Sequence, residues 1–217
     1  VESSLRECLH DHVNAEVVSG TIKSKQDGID YATWTFFFRR LLKNPTYYEL
    51  EDVKLEAINQ FLSDLIDDTF QDLEMAGCIE IENDFDVEPT TIGRIAAYYY
   101  LQYTTVQLFD NEIDEDSTVE DLLRTLSDAP EYAELPVRHN EEKLNEILAN
   151  AVPWDVDMLT LESPHTKAAL LLQAHFASEQ LPISDYYTDT KSVLDQSVRI
   201  LQAMVDISAD NGWLWTT

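Results

Sequence analysis

Along residues 187 to 213, YTDTKSVLDQSVRILQAMVDISADNGW, apolar side chains return every three or four positions. That spacing marks one face of a helix turning about 100° per residue. Val193, Leu194, Val198, Ile200, Leu201, Met204, Val205 and Ile207 cover roughly half the circumference and are expected to be core. The other half carries Ser192, Asp195, Gln196, Arg199, Gln202, Ala203 and Asp206. Thr188 or Asp189 can cap the start, and Asn211-Gly212 supplies a left-handed residue to end it. The rest of the chain reads as the support that positions this helix.

Upstream, Leu5, Cys8, Leu9, His12 and Val13 form an amphipathic stripe within residues 1 to 18. After the Ser19-Gly20 break, Ser24 can cap a second helix over residues 25 to 43, with Pro45 just beyond. A third helix is expected from about residue 51 to 76, with Leu55, Ile58, Leu62, Leu65, Ile66, Phe70 and Leu73 inward and Gly77 at its end. Residues 78 to 81 and 85 to 87 read as short strands around the turn Asn83-Asp84. Three helices followed by a hairpin is the order of a winged helix. Pro89 marks a boundary, so the pattern predicts a mainly α fold: a winged-helix domain over residues 1–89, then a helical bundle over 90–217. The bundle's further helices are expected at 90 to 109, from a Ser117 cap to 127, at 141 to 150, and at 165 to 179 after Pro164. Residues 152 to 163 form an irregular connection.

Composition narrows the class. The 217 residues are 44% hydrophobic with five glycines, enough for one large or two small cores. Cys8 and Cys78 are too few for a disulfide framework and sit at apolar positions, so a reducing compartment is expected. The longest uncharged run, 95 to 109, is interrupted by Gln102, Thr104, Thr105 and Gln107, so no membrane partner is expected. Trp213, Leu214 and Trp215 are large apolar residues at the end of the chain, which is therefore read as a fragment of a longer polypeptide.

The formal charge of −28 is uneven: residues 1 to 54 hold seven Lys/Arg against nine Asp/Glu, and residues 55 to 217 hold seven against 33. A net −26 over the second stretch repels polyphosphate, so any RNA or DNA contact must be local or borrowed from a basic neighbour. The third helix exposes Glu51, Asp52, Glu56, Asp64, Asp67, Asp68, Asp72 and Glu74, and the wing Glu80, Glu82, Asp84, Asp86 and Glu88. A groove-reading winged helix would turn these elements to phosphate. This one is read as a structural or protein-docking module.

The candidate chemistry is sparse. Arg39, Arg40 and Lys43, followed by Tyr47-Tyr48, make a basic and aromatic patch that can hold a phosphate backbone; a domain-docking surface is the reading adopted. Arg199 stands among small and amide side chains, where it can contact phosphate, stack on a base, or pair with Asp195 one turn away. His10 and His12 point about 200° apart on a helix and cannot share a metal ion. Tyr98, Tyr99, Tyr100 and Tyr103 suit packing at a seam, and His175 a core or seam position. Glycines 20, 28, 77, 93 and 212 are isolated, and no paired-cysteine spacing, HExxH or GxSxG occurs, so no catalytic centre or metal site is read.

The run SKQDGIDYATWTFFFRRLLKNPTYY resembles the start of the winged-helix domain in large superfamily-two RNA helicases that carry two helicase cassettes. GRIAAYYYLQYTTV, LPVRHNE, SPHTKAALLLQAH and the last helix resemble the helical bundle that follows it. VESSL, GTIKSKQD, FFRRL, LPVRHNE, SPHTKA and DTKSVLDQ look closer to the cointegrator-complex branch, C-terminal cassette, than to the spliceosomal branch. The resemblance implies a non-motor accessory region of an ATP-dependent helicase, which closes a ring around the translocating single strand. It implies that the last helix is a ratchet helix touching that strand through Gln196 and Arg199, with small Ala203 admitting a backbone and Arg138 as a further contact. ATP and magnesium are implied for motor domains outside these residues, with no cofactor in the fragment. The implied partners are single-stranded RNA or DNA, the upstream motor domains, which Arg39, Arg40, Lys43, Tyr47 and Tyr48 would meet, and other complex subunits. The implied settings are transcription coactivation, ribosome quality control and DNA repair, in nucleus and cytoplasm. The alternative from the charge alone is an acidic protein-interaction scaffold with no nucleic-acid contact.

Overall fold

The computed structural model describes residues 1–50, 52–83 and 85–213. Glu51, Asp84, Leu214 and Trp215, which entered the reading above, lie outside them. Ten α-helices and one hairpin are present among the described residues. Two compact units divide between Val106 and Gln107, later in the chain than the boundary read at Pro89.

In the first unit, α1 (Leu5–Ser19) ends at Gly20 with φ 78°. The expected single second helix is two, α2 (Lys25–Thr33) and α3 (Phe36–Lys43). The break has a local cause: Thr35 is extended, and its hydroxyl accepts from the Phe38 N–H at 3.4 Å, which starts a new helix. Ser24 caps α2 through the Asp27 N–H as read. α4 (Leu55–Met75) buries Ile58, Leu62, Ile66, Phe70 and Leu73, whereas Leu55, expected inward, is exposed in its first turn. β1 (Ile79–Glu82) pairs antiparallel with β2 (Asp86–Pro89), Ile81 opposite Val87. The segment before α2 joins the hairpin edge, with the Val87 N–H donating to Lys23 O and the Lys25 N–H to Phe85 O.

The expected helix over 90 to 109 is also two: α5 (Thr91–Tyr99) and α6 (Tyr103–Glu112). Tyr100 at φ 53° breaks them without a glycine or proline to announce it. α5 packs on α1, where Asn14 Nδ2 donates to Gly93 O at 3.0 Å, so α5 belongs to the first unit. His10, on the same face of α1, stacks on Tyr103 at 4.7 Å and meets Asp72 at 2.9 Å. Cys78 is buried, and burial pushes its thiol up to about 12, leaving it inert.

In the second unit, α7 (Val119–Ser127) is capped by Thr118, not Ser117: Thr118 and Asp121 exchange bonds as a capping box. α8 (Glu142–Ala149) and α9 (Pro164–Ala177) follow, α9 capped by Ser163. α10 (Ser184–Asp210) begins before the caps expected at Thr188 or Asp189, both of which lie inside it. It ends before Gly212, at φ 77°. α9 is the unit's centre: Ala168, Leu170, Leu171, Leu172 and Ala174 are all buried, and α7, α8 and α10 pack around it. His175, expected in the core or a seam, is exposed near its C-terminus.

Candidate nucleic-acid interface

α10 turns Val193, Ile200, Met204 and Ile207 inward, as its period requires, but the buried face is rotated from the one read. Ser197, Ala203 and Ser208 are buried with them, while Val198 (58% exposed), Leu201 (38%) and Val205 (42%) face outward. α10 packs on α9, and hydropathy gives such small side chains little weight as core. Ala203, carried over as a strand contact, is therefore corrected to a packing residue: at 0% exposure its side chain is unavailable to a ligand.

Gln196 and Arg199 lie at the edge of the buried face and are half-exposed. Both Nε and Nη2 of Arg199 donate to Gln196 Oε1, at 3.1 and 2.6 Å. These two bonds tie the guanidinium to the side chain one turn before it on α10. Beside Gln196 is a groove of about 100 Å³, lined by Ser192, Tyr132, Leu135, Pro136 and the carboxylates Glu131 and Glu134. Phosphates are disfavoured against those two acids, whereas base edges and riboses are not.

Arg138, the other predicted strand contact, is committed elsewhere. Its Nη1 donates to Glu141 Oε1 at 2.8 Å and to Asp189 Oδ2 at 2.7 Å, and its Nη2 to Asp189 Oδ1 at 3.2 Å. On the inner side of the same two carboxylates sits Lys167, 0% exposed, whose Nζ donates to Glu141 Oε2 (2.6 Å), Asp189 Oδ2 (2.7 Å) and Pro136 O (2.7 Å). The Tyr186 ring lies 4.7 Å from that ammonium, and its hydroxyl donates to the buried Asn145 Oδ1 at 2.6 Å. Burial raises the affinity of Glu141 and Asp189 for protons, but hydrogen bonds from Lys167 and Arg138 outweigh it and hold both below their ordinary range. The cluster ties α9 and α10 to the 136–141 connection. Lys167, Glu141 and Asp189 were missed in the sequence, although Lys167 stands alone as a cation in the apolar run TKAALLLQA.

The docking residues also separate. Glu2 accepts from Arg40 Nε (3.0 Å) and Nη2 (2.6 Å), Asn44 Nδ2 (3.1 Å) and Tyr48 Oη (3.0 Å). The Arg40 and Asn44 bonds hold the Glu2 carboxyl down at about 2. Tyr48 is buried and Arg40 is held by Glu2, so both tie the N-terminal segment to the α3 region. Arg39, Lys43 and Tyr47 are exposed, joined by Trp34 and Phe36. Tyr98 and Tyr100 are exposed too.

A model of the Sec63 Brl domain matches residues 89–217, more than half of the chain. The chain belongs to the Sec63 Brl family. A winged helix-turn-helix domain matches residues 2–83, so the fold is a winged helix followed by a Sec63 Brl helical region. The human activating signal cointegrator 1 complex subunit 3 is 54% identical over 217 residues. The DExH-box ATP-dependent RNA helicase DExH14 of Arabidopsis thaliana is 56% identical over 214, and the human U5 small nuclear ribonucleoprotein 200 kDa helicase 44% over 214. The cointegrator-type resemblance read from short motifs agrees with these identities. Each match covers 99–100% of this chain but 10% of the relative, so the chain spans a tenth of the curated relatives it matches. In this Sec63 Brl region, LPVRHNE supplies Arg138 and Glu141, SPHTKA supplies Lys167, and DTKSVLDQ supplies Asp189. Three of the motifs that carried the resemblance thus converge on one ion cluster. No helix among the described residues is long and apolar enough to cross a membrane.

Proposed function

We propose that this chain is the non-motor accessory region of an ATP-dependent superfamily-two helicase, and that it helps close a ring around the translocating strand and touches that strand through α10. The observation that carries the reading is the half-exposed Gln196–Arg199 pair beside a groove, on the last helix of a Sec63 Brl region 56% identical to a protein named as an RNA helicase. The Arg199 fork can stack on a base or contact one phosphate, and its bond to Gln196 sets its plane in advance. α10 acts as a pawl: it grips and releases nucleotides that other domains move. The buried Lys167 cluster fixes the helix against α9, so that the grip has a rigid backing.

ATP and magnesium belong, in this reading, to domains outside these residues. The chain's glycines are isolated, and no cluster of three or more His, Cys, Asp or Glu side chains could hold a metal ion among the described residues. By the resemblance, nucleotide hydrolysis falls to upstream motor domains, which the exposed Trp34, Phe36, Arg39, Lys43 and Tyr47 would dock. In the full-length protein, Arg199→Ala is expected to lower the unwinding rate about tenfold, the scale of one lost stacking or charged contact, and to change ATP turnover far less. Parallel unwinding and ATPase assays check this; equal loss of both, or of neither, contradicts it. A scaffold without nucleic-acid contact is the reading favoured by Glu131 and Glu134 in the groove. It predicts single-stranded RNA binding by the full-length protein that is indifferent to Arg199.

A further inference from the structure

A second cavity in the Gln107–Thr217 unit lies away from the α10 edge, between α7, α9 and the 152–163 connection. Its volume is about 340 Å³, within the range of pockets that hold small ligands. Trp154, Leu123 and Ala169 give it an apolar lining, and Glu120, Asp128, Asp155 and Asp157 bring four carboxylates to its walls. Against these stand Arg124 and His165, and Arg124 is already paired with Glu120 at 3.4 Å and Asp121 at 3.8 Å.

A buried amide gives the cavity a direction. Gln173 lines it at 2% exposure, and its Oε1 accepts the Trp154 N–H at 2.9 Å, which fixes both the carboxamide and the start of the loop. Among the described residues its Nε2 has no acceptor. That N–H pair is left to water, whose place a ligand carbonyl can take. Burial also pushes the Asp128 carboxyl above its ordinary range, a penalty that an incoming cation would relieve.

We propose that this cavity binds an arginine-bearing segment of a basic partner peptide, its guanidinium against Trp154 and the Asp155 and Asp157 carboxylates and a main-chain carbonyl accepting from Gln173. Each requirement of the cavity has its match in one residue of such a peptide: a planar cation for the ring and carboxylates, and an acceptor a few bonds away for the amide. A polyamine supplies the charge but no acceptor. The −26 carried by residues 55 to 217 draws basic segments to this face at long range and repels nucleic acid from it.

The test is fluorescence anisotropy of the 217-residue chain with fluorescein-labelled Ala-Gly-Arg-Gly-Ala, its citrulline counterpart, and unlabelled spermidine as competitor. The arginine peptide is expected to bind at least about tenfold more tightly than the citrulline peptide. Asp155→Asn/Asp157→Asn, which keeps the Asp157 side-chain acceptor for the Leu159 N–H, is expected to remove that difference while the thermal melt stays unchanged. Trp154→Ala should weaken the arginine peptide by a similar factor. No binding up to millimolar peptide, equal binding of the arginine and citrulline peptides, or variants that bind like the parent would overturn the proposal. Displacement by spermidine at the same concentration as by unlabelled arginine peptide would overturn it as well, by assigning the cavity to free polycations.

Discussion

Replacing Lys167 with methionine is expected to destabilise the chain by about 3–5 kcal/mol, although methionine fills nearly the same volume. The ammonium is fully enclosed, and the two carboxylates it serves, Glu141 and Asp189, are 3% and 4% exposed. Without Lys167 they keep Arg138, whose side chain is 42% exposed and approaches from the outer side. Two buried carboxylates would then share one half-solvated cation, and Pro136 O would lose its donor. The methionine also gives up the contact with the Tyr186 ring. A fall in melting temperature of roughly 10–20 °C is the expected readout for a unit of this size.

The pH dependence separates this account from simple misfit. In the parent both carboxyls lie below their ordinary values of 4.5 and 3.8, so their stabilisation is complete above about pH 5 and is lost as pH falls through the depressed values. In the methionine variant burial is no longer outweighed, the carboxyls rise, and protonation removes the repulsion between them. The stability gap between parent and variant should therefore narrow from pH 7 to pH 4. A gap that stays constant, or a variant as stable as the parent at pH 7, contradicts the assignment.

Gly93→Ala is the second large effect, at about 3 kcal/mol. Gly93 does not need a positive φ; it needs the absence of a methyl. A Cβ there would stand 2.0 Å from Cys78 O, 2.9 Å from Cys78 C and 2.8 Å from Asn14 Oδ1. None of these can step aside cheaply. Cys78 O accepts from both the Thr90 N–H and Thr90 Oγ1 at the start of α5, and the Asn14 amide donates to Gly93 O. The methyl would pry α5 from the residue that leads into β1. Gly28→Ala is the control, since its Cβ would meet side chains, Ile66 at 3.0 Å and Phe70 at 3.3 Å, that can yield by small rotations. Denaturant unfolding of both variants should rank Gly93 well above Gly28; equal losses would refute the backbone argument.

Much of the fold was legible because its signals are local. The period of residues 187 to 213 and the Asn211-Gly212 stop located α10, and Gly20 and Gly77 ended α1 and α4 by the same rule. The breaks at Thr35 and Tyr100 were hidden. TWTFFF is apolar on every side, so no phase change shows where one helix stops, and Tyr100 is left-handed without being glycine. Thr118 could have been chosen over Ser117 as a cap, because Asp121 stands three residues after it.

The rotation of α10 was less legible. Period alone cannot decide whether Val198 and Leu201 or Ser197 and Ala203 face inward, since the choice depends on which elements pack against the helix. The same limit applied to charge. Arg138, Arg40 and Tyr48 looked available in the sequence, but acceptors 38 to 51 residues away hold them. Gln196 and Arg199 bond to each other within one turn, at the half-exposed rim of the buried face, which is the arrangement the proposed strand contact uses.

The claim at the centre of this account is that this rim of α10 faces a nucleic-acid strand, and site-specific photocrosslinking tests it most directly. A benzophenone side chain would be placed at Asp195 or Gln202, exposed on α10, and as a control at exposed Glu142 in the first turn of α8. Each is introduced into the full-length polypeptide that carries these residues, loaded with radiolabelled single-stranded RNA. The account predicts label transferred from the α10 positions and none from Glu142. Unwinding-competent protein that transfers no label from α10 would contradict it.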